Sequence, residues 1–148
     1  NNKKIADKLR DVFTHPYSKA DAEFYIDLCL SADEDKDLFF AIDVDGKAVG
    51  SIGVFKKEDV YRMSAEIGYW LGEEYWGNGI ISDAVKQVCE IAFEKLDVVR
   101  VFAEPYANNA GSRRVLEKAG FKLEGTLVKS VFKNEEYFDS CIYALIKE

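Results

Sequence analysis

Metal and redox chemistry lack their materials in this chain. There are three cysteines, Cys29, Cys89 and Cys141, odd in number and far apart, with no Cys-x-x-Cys pair. The single histidine, His15, has no companion at ligand spacing. A structural zinc site is not expected, and no metal is assigned. The thiols read as small hydrophobes in a reducing compartment, which predicts a cytoplasmic location. Prolines number two, and no proline-, glycine- or serine-rich linker, repeat or low-complexity tract divides the chain. No apolar run approaches the ~20 residues of a membrane helix. The polar start Asn1-Asn2-Lys3-Lys4 is followed by no apolar signal segment. Basic residues are also short: 20 against 27 acidic ones leave a net charge of −7. Phosphate backbones and anionic membranes attract basic faces, so neither nucleic acid nor a membrane is expected as a partner. An acidic surface suits a cationic substrate such as an amine.

What is present fits one domain. A chain of 148 residues that is 48% hydrophobic can bury roughly two thirds of its unfolded surface without a staple. Residues 3–13 read as a short helix, broken at Thr14-His15-Pro16. Ser18 offers an N-cap, with Asp21 three residues on, for a second helix. The runs 38–44 and 47–55 flank Asp45-Gly46, the pair favoured in a type I′ hairpin turn. Residues 64–71 alternate as a strand, with Ala65, Ile67, Tyr69 and Leu71 on one face and Ser64, Glu66, Gly68 and Trp70 on the other. The period then becomes helical over 78–95. Residues 98–104 read as a buried strand stopped by Pro105. Asn109 caps a helix running to about Ala119, with Gly120 just past its end. Residues 121–131 and 136–146 read as an antiparallel pair turning at Lys133-Asn134. The order α-α-β-β-β-α-β-α-β-β predicts a mixed α/β domain with a largely antiparallel sheet.

The segment Tyr75-Trp76-Gly77-Asn78-Gly79-Ile80-Ile81 lies between a strand and a helix. Its two glycines permit a sharp turn, and the helix start offers unpaired N–H groups and a positive dipole end. Together these suit a pyrophosphate. No Gly-Lys-Ser/Thr follows, so it is not a Walker loop, and the third glycine of a dinucleotide fingerprint is missing. A tight strand-to-helix turn with no ligand is the alternative reading of the same residues.

A second segment, Asn109-Ala110-Gly111-Ser112-Arg113-Arg114-Val115-Leu116-Glu117-Lys118-Ala119-Gly120-Phe121, resembles the Asn-x-x-Ser-x-x-Val-Leu-Glu-Lys-x-Gly-Phe signature of the GNAT acetyltransferases. Glu66-Ile67-Gly68-Tyr69-Trp70-Leu71 followed by Trp76-Gly77-Asn78-Gly79 is similar to the branch that includes the ribosomal-protein N-terminal acetyltransferases. The resemblance covers about residue 5 to the end. It implies acetyl transfer from acetyl-CoA, as cosubstrate, to a primary amine. It also implies a mixed central sheet splayed between two strands, here 64–71 and 98–104, with helices on both faces. Carried over, Trp76, Gly77, Asn78, Gly79, Ile80 and Ile81 hold the CoA pyrophosphate through backbone amides. The pantetheine arm lies along Tyr69, Trp70, Leu71 and Gly72 as an added strand. Asn109 and Ser112 meet the pantetheine and thiol end, and Arg113, Arg114 and Lys118 can meet the CoA phosphates. Three departures stand out. Ile81 is bulkier than the usual residue, Leu116 replaces a tyrosine that acts as general acid in many members, and the usual first strand, whose start should precede residue 1, is expected to be missing, as in a truncated chain. A homodimer is compatible with the resemblance.

An ammonium cannot attack a thioester, so a base must take its proton. Glu66, beside Gly68, is the expected base, acting through water. Backbone N–H groups near Leu71 are expected at the oxyanion, and Ser112 or water at the leaving thiolate. Glu104 and Asp139 are the alternative carboxylates. Trp70 and Tyr17 are expected to wall the acceptor pocket, Tyr137 and Tyr143 to pack in the core, and His15 to lie solvated in a loop. The acceptor, a protein N-terminus or a small-molecule amine, is not specified. A noncatalytic acyl-CoA-binding or sensing module, and a simple phosphate-binding fold, are the competing readings.

Overall fold

The computed structural model describes residues 1–148. Helices α1 (Lys3–Ala6) and α2 (Lys19–Leu30) precede strands β1 (Asp37–Val44), β2 (Lys47–Lys56) and β3 (Ser64–Leu71). Helix α3 (Ile80–Lys95), strand β4 (Arg100–Ala103), helix α4 (Ala110–Lys118) and strands β5 (Lys122–Lys133) and β6 (Glu136–Ile146) complete the chain. This is the predicted order. The six strands form one sheet, β1-β2-β3-β4-β6-β5, in which only the β3–β4 pair is parallel.

Local chemistry explains most boundaries. Asp45 and Gly46 both take positive φ, 53° and 83°, as the expected hairpin turn requires. Ser18 and Asp21 form a reciprocal capping box at the start of α2. Asn109 accepts from the Ser112 N–H to start α4, and Gly120 ends it with φ 94°.

Some boundaries moved. The helix expected over 3–13 stops at Ala6. Its one turn buries no residue, and so short a helix gains too little without packing. The polar side chains that follow instead bond across the molecule, Asp11 to Lys133 and Asp7 to Asn134. The strand expected over 98–104 keeps only 100–103, and the last hairpin turns at Asn134-Glu135, both at positive φ, one residue later than expected.

The core lies between one sheet face and the α3–α4 layer. Val85, Val88, Cys89 and Ala92 form the buried stripe of α3, three and four residues apart. They meet Ile52, Val54, Ala65, Ile67, Val101 and Tyr143. Each such large apolar side chain contributes roughly 1.5–3 kcal/mol. On the opposite face α2 touches the sheet through Tyr25, whose hydroxyl lies 2.7 Å from Ser51 Oγ and whose ring meets the Phe39 ring edge-on at 6.1 Å. No helix is long and apolar enough to cross a membrane.

Candidate functional site

The site begins where the parallel strands part. β3 pairs with β4 only through Ser64, Ala65 and Glu66, against Arg100, Val101 and Phe102. Beyond Glu66, β3 continues to Leu71 with β2 as its one neighbour. The Gly72 N–H donates to Val49 O, and the Lys57 N–H to Ser64 O. By antiparallel alternation the even-numbered residues of β3 bond to β2, and Ile67, Tyr69 and Leu71 turn their N–H and C=O groups into the parting. The Trp76 indole N–H takes one of these, donating to Leu71 O at 2.8 Å. A cleft of about 960 Å³ fills the parting, from the glycine loop to the N-terminal segment.

At one end lies the loop 76–81. Gly77 and Gly79 sit at φ 78° and 76°, a region that a side chain makes unfavourable. The first helical hydrogen bond of α3 runs from the Asp83 N–H to Gly79 O, and no side chain caps the helix. The six amides from Gly77 to Ser82 donate to no protein acceptor. A Cβ on Gly77 would meet nothing within 4 Å, so the turn stands open on that side, and Gly77, Gly79, Ile80, Ile81 and Ser82 line the cleft. The Asn78 side chain braces the loop by donating to the Tyr75 and Trp76 carbonyls. The bulk of Ile81 is absorbed by packing on the core.

Midway along the cleft, Ser112 Oγ lies 2.7 Å from the Tyr69 hydroxyl. Burial pushes the Tyr69 phenol up to about 12, partly offset by the Ser112 hydrogen bond. It therefore stays protonated at neutral pH. Leu116, at the family's tyrosine position, is fully buried and cannot reach the cleft. At the far end the Glu66 carboxylate lines the cleft, ion-paired with Arg10. Gly68 beside it leaves open space.

The cleft thus brings together Glu66, Tyr69, Trp70, Leu71, Trp76, Gly77, Gly79, Ile80, Ile81, Asn109, Ser112, Arg114 and Lys118, together with Glu104. Gly72 and Asn78 brace its edge without lining it. Arg113 points elsewhere: its guanidinium donates to the Tyr143 hydroxyl and the Ala107 carbonyl. Asp139 also lies off the cleft, accepting from the Lys129 N–H. Tyr143 is in the core as expected, but Tyr137 is exposed, its ring tilted on Phe132. Tyr17 and His15 do not line the cleft. Sequence reasoning missed Arg10 against Glu66 and the Tyr69–Ser112 contact. These pairs are 56 and 43 residues apart, and no local pattern encodes them. One signal was available: a tyrosine on a core-facing strand position needs a partner for its hydroxyl.

Comparison with known proteins identifies the family. The acetyltransferase (GNAT) domain family matches residues 4–122. A ribosomal-protein-serine acetyltransferase of Escherichia coli (strain K12) is 34% identical over 107 residues, 72% of this chain and 59% of that protein. Among solved structures, a RimL ribosomal L7/L12 alpha-N-protein acetyltransferase with coenzyme A superposes with TM-score 0.87 at 23% identity, over 99% of this chain and 82% of that one, a likeness of fold. The microcin C7 self-immunity acetyltransferase MccE, with acetyl-CoA and AMP, gives TM-score 0.82 at 25% identity over 97% and 79%. The chain spans little more than half the length of the curated relatives it matches.

Proposed function

The chain belongs to the GNAT acetyltransferase family, and from that premise we propose that it transfers the acetyl group of acetyl-CoA to a primary amine by direct attack on the thioester. The observation that carries the reading is the run of six unpaired amides, Gly77 to Ser82, at the end of a cleft whose wall is the free edge of β3. A diphosphate offers the acceptors that those N–H groups lack, at the positive end of α3. The amides of a pantetheine arm offer partners to Ile67, Tyr69 and Leu71. Lys118 and Arg114 add positive charge to the same cleft. MccE, bound to acetyl-CoA, shares the fold and supports the same cosubstrate here.

In this reading Glu66 accepts the ammonium proton through water, held in place by Arg10. The neutral nitrogen attacks the acetyl carbon. The Leu71 N–H, on the same edge, donates to the developing oxyanion. As the C–S bond breaks, the attacking nitrogen gives its second proton to water, and the thiolate takes a hydrogen bond, and finally a proton, from water or from a Ser112 that water reprotonates. The Tyr69 phenol backs the Ser112 hydroxyl. The acceptor is a protein N-terminus or a small-molecule amine; the E. coli relative is named for acetylation of a serine of a ribosomal protein.

The test is thiol release from acetyl-CoA with a serine-initiated peptide or a polyamine added. Amine-dependent release of free CoA is expected. Tight CoA binding with no release from any amine would instead favour a noncatalytic CoA-binding module, the reading to which the buried Leu116 lends support.

A further inference from the structure

The acceptor's end of the cleft opens into a smaller bay of about 320 Å³, lined by Arg10, Asp11, Glu104, Tyr106, Ser130 and Lys133 among others. Arg10, Glu104 and Tyr106 line both spaces. The charges of the bay are matched with one exception. The Lys133 ammonium lies 2.9 Å from the Asp11 carboxylate, and Arg10 is paired with Glu66. None of the molecule's ion pairs includes Glu104. Its carboxylate is held by a neutral donor: Ser140 Oγ donates to Oε1 at 2.8 Å. Ser140 is wholly buried, and its Oγ is 2.5 Å from Ser130 Oγ. A carboxylate only accepts, so Ser140 gives its proton to Glu104, and the one proton of Ser130 faces two acceptors, Ser140 Oγ and the Leu127 carbonyl at 3.0 Å. The Ser140 hydrogen bond fixes one oxygen of Glu104 and leaves Oε2 without a partner.

Building on the acetyl-transfer reading, we propose that Glu104, oriented by the buried Ser140 hydroxyl, is the anionic post that binds the acceptor's ammonium in this bay. The acceptor class is then a cationic primary amine. Glu66 and Glu104 divide the work. Both lie on the open face of the sheet, Glu66 opposite Phe102 in the parallel register and Glu104 two residues beyond Phe102. Glu104 draws the cation in, and Glu66, nearer the end of the paired segment, takes the proton.

The experiment titrates 1,5-diaminopentane, and separately its uncharged isostere 1,5-pentanediol, into the full chain with and without CoA, following backbone amide shifts. The diamine is expected to move the Glu104, Tyr106 and Ser130 signals saturably, and the diol is not. Glu104→Gln keeps the shape and the Ser140 hydrogen bond and should weaken the diamine about tenfold, some 1.4 kcal/mol. Ser130→Ala, at an exposed position, removes the hydroxyl that sits 2.5 Å from Ser140 Oγ and helps hold it, and should weaken the diamine about threefold. An equal response to the diol, no saturable response to the diamine, or wild-type affinity in both variants overturns the proposal. Failure of the acetyl-transfer reading is a separate result: CoA then leaves the Gly77–Ser82 amides unmoved, whatever the diamine does.

Discussion

Glu66 and Ser112 reach the cleft with partners that their own segments do not supply, and their chemistry depends on those partners. Glu66→Gln keeps the shape of the side chain and removes its ability to take a proton. Coenzyme affinity should stay unchanged while kcat falls by roughly 10²–10⁴-fold, the usual worth of a positioned base. Steady-state rates beside a CoA titration check this, and unchanged kcat removes Glu66 from the mechanism. Tyr69 makes a pH prediction. Its folded pKa, pushed up to about 12 by burial, stands above the ~10 of an unfolded tyrosine. Folding favours the protonated form, so the linked stability is fully present below pH ~10 and is lost as pH rises toward 12. Cys89, buried and likewise pushed up to about 12, adds to the same alkaline loss. Urea denaturation at pH 8 and pH 11.5 should show Tyr69→Phe losing less stability than wild type, by on the order of 2 kcal/mol. Equal losses contradict it.

Among the elements, the glycine loop is the one on which the site turns. Gly79→Ala places a methyl 3.9 Å from Ser82 Oγ, an ordinary contact, at φ 76°. The penalty is therefore conformational, about 1–2 kcal/mol of stability, and the methyl also stands at the entrance to the free amides. Both melting temperature and CoA affinity should fall, affinity by about tenfold. A variant that binds CoA as well as wild type would mean the amides are not the cradle. Elements fixed by neighbours in sequence were legible in advance. The Asp45-Gly46 hairpin and the Ser18–Asp21 capping box need only a few adjacent residues to specify them. The helix expected over 3–13 failed for the opposite reason: Asp7 and Asp11 find better partners on Asn134 and Lys133, more than a hundred residues away. Strand β4 was overrun by two residues at its start, and by one at its end, where Glu104 leaves the ladder to face Ser140.

Across the whole molecule, two half-sheets meet at three residue pairs of parallel ladder and share one helical layer. The parting between them, rather than any single residue, makes the cleft. The glycine loop and the Asn109–Phe121 segment carried this site into the sequence, because backbone geometry and capping leave a trace in residue type. The Arg10 clamp, the Tyr69–Ser112 contact and the Glu104–Ser140 hydrogen bond left none, since each joins residues that only the closed sheet brings together. A coenzyme spanning the parting ties the halves to each other. By mass action it should raise stability by about 2.7 kcal/mol at a hundred times its Kd. The most direct measurement is calorimetric titration of CoA beside pantetheine, which carries the thiol arm without the diphosphate. One-to-one heat from CoA, with pantetheine bound roughly 100-fold more weakly because several charge-assisted hydrogen bonds are gone, is the predicted result. No heat from CoA, or equal affinity for the two, would contradict a diphosphate held by the amides of Gly77 to Ser82.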